Sequence, residues 1–128
     1  MLEYCIMMKS LPDISYWEFD ELTKMNNLFK NCESLGEMRD ISEWNIEYVD
    51  DLSGIFSGYK RLKCLPKISK WKIDKVKNMK NLFQNCNNLI ASPKEISDWK
   101  KENVTNMSGL FENCWQLKYL PDISNWNT

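Results

Sequence analysis

The residues of this chain with the most chemical potential are its thiols, carboxylates and large aromatic rings. Five cysteines and 18 Asp or Glu are present, but histidine is absent. That absence removes the usual general base near neutral pH and the commonest zinc ligand. The sequence holds no C-x-x-C pair, no G-x-S-x-G and no glycine-rich phosphate loop, so the local arrangements that activate a nucleophile or cradle a phosphate are missing. Acids and amides recur at a fixed interval instead of converging as a catalytic pair would. The expectation is a chain that is not an enzyme, with no cofactor and no metal site, whose chemistry is that of binding.

The elements that must position these residues are dictated by a repeat. The motif Ile-Ser-x-Trp stands at Ile14/Trp17, Ile41/Trp44, Ile68/Trp71, Ile96/Trp99 and Ile123/Trp126, at spacings of 27, 27, 28 and 27 residues. Further columns share the register: Leu22, Val49, Val76 and Val104; Met25, Leu52, Met79 and Met107; Phe29, Phe56, Phe83 and Phe111; and Leu35, Leu62, Leu89 and Leu117. Cys32, Cys86 and Cys114 form another column, with Tyr59 in the third repeat, and Cys5 joins it from the N-terminal fragment. Such self-similarity marks stacked coils in which each unit buries its apolar face only against its neighbours. One domain over residues 1–128, of about four and a half coils, is expected.

Within a repeat, Val104, Met107, Leu110, Phe111 and Cys114 have the spacing of a helix's buried stripe. An acid precedes each such segment (Asp20, Glu47, Asp74, Glu102), as suits a helix N-terminus. Asn31, Gly58, Asn85 or Asn113 stands toward its end, and these are the residue types that accept the left-handed conformation. The following stretch reads as extended, with Pro12, Pro66, Pro93 or Pro121 keeping any strand short. The pattern predicts an α/β solenoid of 27-residue coils, one short helix plus one short strand per coil.

In that frame the thiols read as small core side chains. Zinc needs sulfurs about 2.3 Å from one point, and helices packed about 8–10 Å apart exceed comfortable disulfide separations. Cys32, Cys86 and Cys114 are therefore expected as buried free thiols, and Cys64, off the column, as a more exposed one. The in-register Trp17, Trp44, Trp71 and Trp99, and the column Phe29, Phe56, Phe83 and Phe111, are expected in the core.

Charges are segregated between coils. Glu33, Asp40, Glu43 and Asp50 stand one repeat before Lys60, Lys67, Lys70 and Lys77, so coil-to-coil pairing is expected to absorb much of the third coil's basic surface. A formal net charge of -1 argues against a general polyanion binder, so no nucleic-acid partner is expected. No apolar run approaches the roughly 18 residues of a membrane helix. Met1 to Ser10 carries Glu3 and lacks the apolar core of a signal peptide.

The run NVTNMSGLFENC at 103–114, continued by LPDISNWNT at 120–128, closely resembles the BspA-type leucine-rich repeat in its mycoplasma surface-lipoprotein form. The resemblance covers essentially the whole chain. It implies a leucine-rich-repeat-like solenoid, a cell-surface or secreted adhesion or partner-binding role, and no catalytic residues. Tyr59 in place of Cys, and Arg39 in place of Pro, depart from the pattern.

Two residues break their columns toward aromatics. Trp115 stands where other coils have Glu33, Lys60 and Asn87, and Tyr119 where they have Glu37 and Cys64. Four residues apart, they are the candidate contact site, since exposed Trp and Tyr are frequent hot spots. Covering the last complete coil is the other reading. The chain stops mid-repeat at Asn127-Thr128, which predicts a continuing array or a partner over that coil, with self-association through uncapped coil ends one form of this. Recognition of a protein or cell-surface ligand is the expected function, and a structural place in a larger assembly the alternative.

Overall fold

The computed structural model describes residues 9, 14–15, 17–18, 23–36, 38, 40–64, 68, 70–90 and 102–118. Segments one repeat apart lie side by side and parallel. Lys24 bridges to Asp51, Asp51 to Asn78 and Asn78 to Asn106, giving four successive layers. Each layer contributes one row of backbone, at 25–32, 52–59, 79–86 and 107–114.

The rows follow one hydrogen-bonding rule. At alternate residues the N–H points to the next layer: Met79 donates to the Asn106 carbonyl (2.8 Å), Asn81 to Ser108 (2.9 Å), Phe83 to Leu110 (3.0 Å) and Asn85 to Glu112 (2.8 Å). The residues between them satisfy their N–H groups within the row, Leu82 on Met79, Gln84 on Asn81 and Cys86 on Phe83. The same cross-layer bonds recur from Met25, Asn27, Phe29 and Asn31, and from Leu52, Gly54, Phe56 and Gly58. The cross-layer N–H groups of the first three rows are thus paired without an internal helix or a long strand.

The helix expected over each apolar stripe is not what these residues form. Among the described residues there is no helix, and 107–114 runs as successive four-residue turns. The reason lies in two columns of left-handed residues. Asn31, Gly58, Asn85 and Asn113 have φ of 58, 74, 60 and 60°, and Asn27, Gly54, Asn81 and Gly109 have 61, 64, 57 and 66°. A positive φ every fourth residue stops a right-handed helix from propagating, and it is the conformation a type II turn requires at its third residue. The acids Glu47, Asp74 and Glu102 accordingly cap no helix. Glu47 and Asp74 sit exposed in turns closed by Val49 on Ile46 and Val76 on Ile73.

The core runs through all four layers. Phe29, Phe56 and Phe83 are fully buried, and their rings stack nearly parallel at centroid separations of 6.0 Å and 5.4 Å, with Phe111 continuing the column at 5.5 Å. Trp17, Trp44 and Trp71 form a second stack at 6.0 Å and 6.2 Å. Each inner Trp also donates its indole N–H one layer back, Trp44 to the Ile14 carbonyl at 2.8 Å and Trp71 to Ile41 at 2.9 Å. These bonds satisfy buried carbonyls of the Ile-Ser-x-Trp turns, so the Trp column both fills volume and fixes register.

Candidate functional site

The thiols of the repeated column face the interior. Cys32 and Cys86 are buried, Cys114 is half-buried and Cys64 is exposed, all as free cysteines, while Cys5 lies outside the described residues. The Cys86 thiol donates to the Phe56 carbonyl and the Cys114 thiol to Phe83, both at 3.1 Å. Tyr59, in the place of a cysteine, donates its hydroxyl to the Gly36 carbonyl. Burial pushes the Cys114 thiol up to about 11, and burial aided by the Cys114 charge raises Cys86 further. Thiols held protonated in this way are poor nucleophiles and poor metal ligands. Among the described residues no group of three or more Cys, Asp or Glu could hold a metal ion.

A pH dependence follows. These thiols have an ordinary value of 9.0 and ionise at higher pH when folded, so the unfolded chain loses its protons first. Their contribution to stability is whole below pH 9 and is lost as pH rises from 9 through 11. Urea midpoints should hold steady below pH 8 and fall between pH 9 and 11. With a thiol reagent at pH 8, Cys64 should react ahead of Cys86 and Cys114, and modification of all three at one rate would contradict the burial.

The outward residues vary in type while sharing position. Glu33 and Lys60 pair at 3.0 Å and Glu43 and Lys70 at 3.1 Å, one repeat apart in each case. Both pairs are exposed, and such pairs contribute about 0.2–1 kcal/mol, so they register layers more than they stabilise them. Asp50 and Lys77 meet through backbone instead, Lys77 N–H to the Asp50 carbonyl at 2.8 Å. Lys67, and with it the Asp40 pair, lies outside the described residues. Across the corner of three layers, Tyr48, Asp50, Asp74, Lys75, Lys77 and Asn103 line an open cleft of about 330 Å³. The Lys75 ammonium sits 4.4 Å from the centre of the Tyr48 ring there.

Of the two aromatics that break their columns, Trp115 is 74% exposed, while Tyr119 lies outside the described residues, as does Trp99 of the core column. Trp115 occupies a turn closed by the Leu117 N–H on the Cys114 carbonyl (3.1 Å), the position held by Glu33, Lys60 and Asn87 in earlier layers. In the same layer Phe111 is half-buried where its three column partners are fully buried. Among the described residues, four backbone N–H groups of this layer meet no acceptor. The N–H groups of Met107, Gly109, Phe111 and Asn113 correspond to groups bonded across layers in every earlier row.

This layered repeat, constant inside and variable outside, coincides with a family match. The profile described as Mycoplasma protein of unknown function, DUF285, matches residues 1–93 and again 59–128. The chain belongs to this family. Two overlapping matches to one profile mean that the family's own pattern is repetitive, in agreement with the columns above. No curated protein and no solved structure matches this family member.

Proposed function

We propose that this DUF285 member is a leucine-rich-repeat-like solenoid of the BspA type, a non-catalytic scaffold that recognises a protein partner at a cell surface. The observation that carries the reading is Trp115. A ring left 74% exposed at a position otherwise given to Glu, Lys and Asn is of the residue type most often found as a binding hot spot. The constancy of the buried columns beside the variability of outward ones supports a scaffold whose surface is free to diverge.

Labelled chain should bind fixed animal cells saturably, and protease treatment of the cells should abolish the binding. Trp115→Ala should weaken it by about 2 kcal/mol, roughly 30-fold, with the melting temperature nearly unchanged. A variant that melts several degrees early with unaltered binding would assign Trp115 to covering its own layer and defeat this reading. A structural place in a larger assembly is the second reading. Sedimentation of the chain separates the two, since an assembly piece forms obligate oligomers and a free-standing binder stays monomeric.

A further inference from the structure

We infer that the cleft lined by Tyr48, Asp50 and Asp74 binds an arginine side chain of a protein partner, and that Lys75 holds the place of that side chain in the free chain. The inference deepens the scaffold reading above, on which it rests for the partner being a polypeptide.

The cleft is built on segments that precede the rows of the second, third and fourth layers. Val49, Val76 and Val104 are buried there, so the residues on either side of each point outward. One outward column is Tyr48, Lys75 and Asn103, and the next is Asp50, Lys77 and Thr105. Paired backbone bonds hold the floor beneath them. Lys77 and Asn78 both donate to the Asp50 carbonyl, at 2.8 and 3.2 Å, and Thr105 and Asn106 both donate to the Lys77 carbonyl, at 2.9 and 3.2 Å. The Asn103 side chain donates to the Asp74 carbonyl. The third layer is the centre of the cleft, and the second and fourth bound it on either side.

The charges of this cleft are unanswered. Among the described residues neither the Asp50 nor the Asp74 carboxylate has a hydrogen-bond or ion-pair partner. Glu47 and Glu102, one repeat before and after Asp74, add two exposed carboxylates to its column. Against them stand Lys75 and Lys77, and the neighbouring Lys72 and Asp51 leave the acidic excess unchanged. An acidic surround with an aromatic ring selects a cation. An anion facing the two lysines would meet Asp50 and Asp74 at the same time. The molecule itself shows where the cation sits. With two carboxylates lining its cleft, the Lys75 ammonium rests instead on the Tyr48 ring, 4.4 Å from its centre, and that ring is 48% exposed. An ammonium so placed leaves both carboxylates unmet. A guanidinium answers both demands, because its plane stacks on the ring while its in-plane N–H groups fork toward a carboxylate. Lys75 is exposed on a flexible four-carbon stem, so it leaves the ring at little cost. The occupant is therefore an arginine, and Lys75 is its internal competitor.

The test titrates the whole isotope-labelled chain with N-acetyl-arginine N-methylamide, whose blocked ends mimic a side chain within a polypeptide. The amide signals of Asp50, Asp74 and Lys77 should shift saturably at millimolar probe, and the neutral citrulline analogue should leave them in place. Tyr48→Leu should weaken the arginine probe about threefold or more. Lys75→Ala should strengthen it about twofold or more, because the competing ammonium is gone. Lys72→Ala removes the same charge outside the cleft, and solvent screening should hold its effect within about 1.5-fold. An affinity that Lys75→Ala lowers or leaves unchanged overturns the proposal, as does one that Tyr48→Leu leaves unchanged. Equal shifts with the citrulline analogue, or none with the arginine probe, overturn it too. Free arginine binding far more tightly than the blocked form overturns it in favour of a small-molecule ligand. The cell-binding measurement separates this inference from the reading beneath it. If the cleft responds as expected but cell binding survives protease, the protein-partner reading has failed; if cell binding is protease-sensitive and the arginine probe leaves no shift, the cleft alone has failed.

Discussion

Gly58→Ala will destabilise the chain by about 2–4 kcal/mol, and Gly54→Ala by somewhat less. Two effects add. Both glycines have left-handed backbone, φ of 74° and 64°, where a side chain costs roughly 1–2 kcal/mol. Both are also buried beneath an asparagine of the preceding layer. A Cβ on Gly54 would run into the Asn27 side-chain oxygen, and one on Gly58 into that of Asn31, so something must shift, at roughly 1–3 kcal/mol for an overpacked site. At Gly58 the Asn31 Cα also lies only 3.2 Å from the added atom, and backbone yields less than a side chain. At Gly54 the close atoms are side chain only. Asn27→Gly in the Gly54→Ala background should therefore recover much of the loss, with a coupling of about 1 kcal/mol or more in a double-mutant cycle. Gly36→Ala is the control. Its nearest neighbour is the Lys9 carbonyl oxygen at 3.5 Å, an ordinary contact, so its urea midpoint should barely move. Loss below about 1 kcal/mol at both Gly54 and Gly58 would mean that the interleaved Asn–Gly packing is wrong.

That packing also explains which parts of the architecture could be read from residues alone. Column membership was legible because stacking demands like residues at one interval, and Phe29, Phe56 and Phe83 are indeed a single buried stack. The helix was misread for a physical reason. Successive four-residue turns bring Met79, Leu82, Phe83 and Cys86 to one side just as a helix would, so the apolar spacing does not distinguish the two. The discriminating signal was present in Asn27, Gly54, Asn81 and Gly109, a second Asn/Gly column four residues before the first. Two left-handed positions four apart cannot both end one helix. The salient site residue, Trp115, was legible because it departs from its column. The pairing of the row amides was not, since every residue carries such a group and only the fold decides which acceptor each one meets.

Phe83→Ala is expected to be the most damaging single truncation in the aromatic stack, at about 3–5 kcal/mol, the range for emptying a buried phenyl site. Phe83 is fully buried and sandwiched, its ring 5.4 Å from Phe56 and 5.5 Å from Phe111 with interplanar angles of 3° and 6°. Its own N–H and carbonyl are tied down as well, the first to Leu110 and the second by the Cys86 N–H and the Cys114 thiol. With the backbone so held, the layers cannot collapse into the vacated space, and the cavity cost is retained in full. Phe111→Ala provides the contrast. That ring has one described stacking partner and is half-buried, so its truncation should cost about half as much. Urea unfolding of both variants measures the difference. A shared slope with a much lower midpoint for Phe83→Ala supports one cooperative stack. A lower slope for that variant would show that the layers on either side of the gap unfold separately, as nearest-neighbour coupling between repeats allows once one interface is weakened. Equal losses for the two variants would contradict the burial gradient along the column.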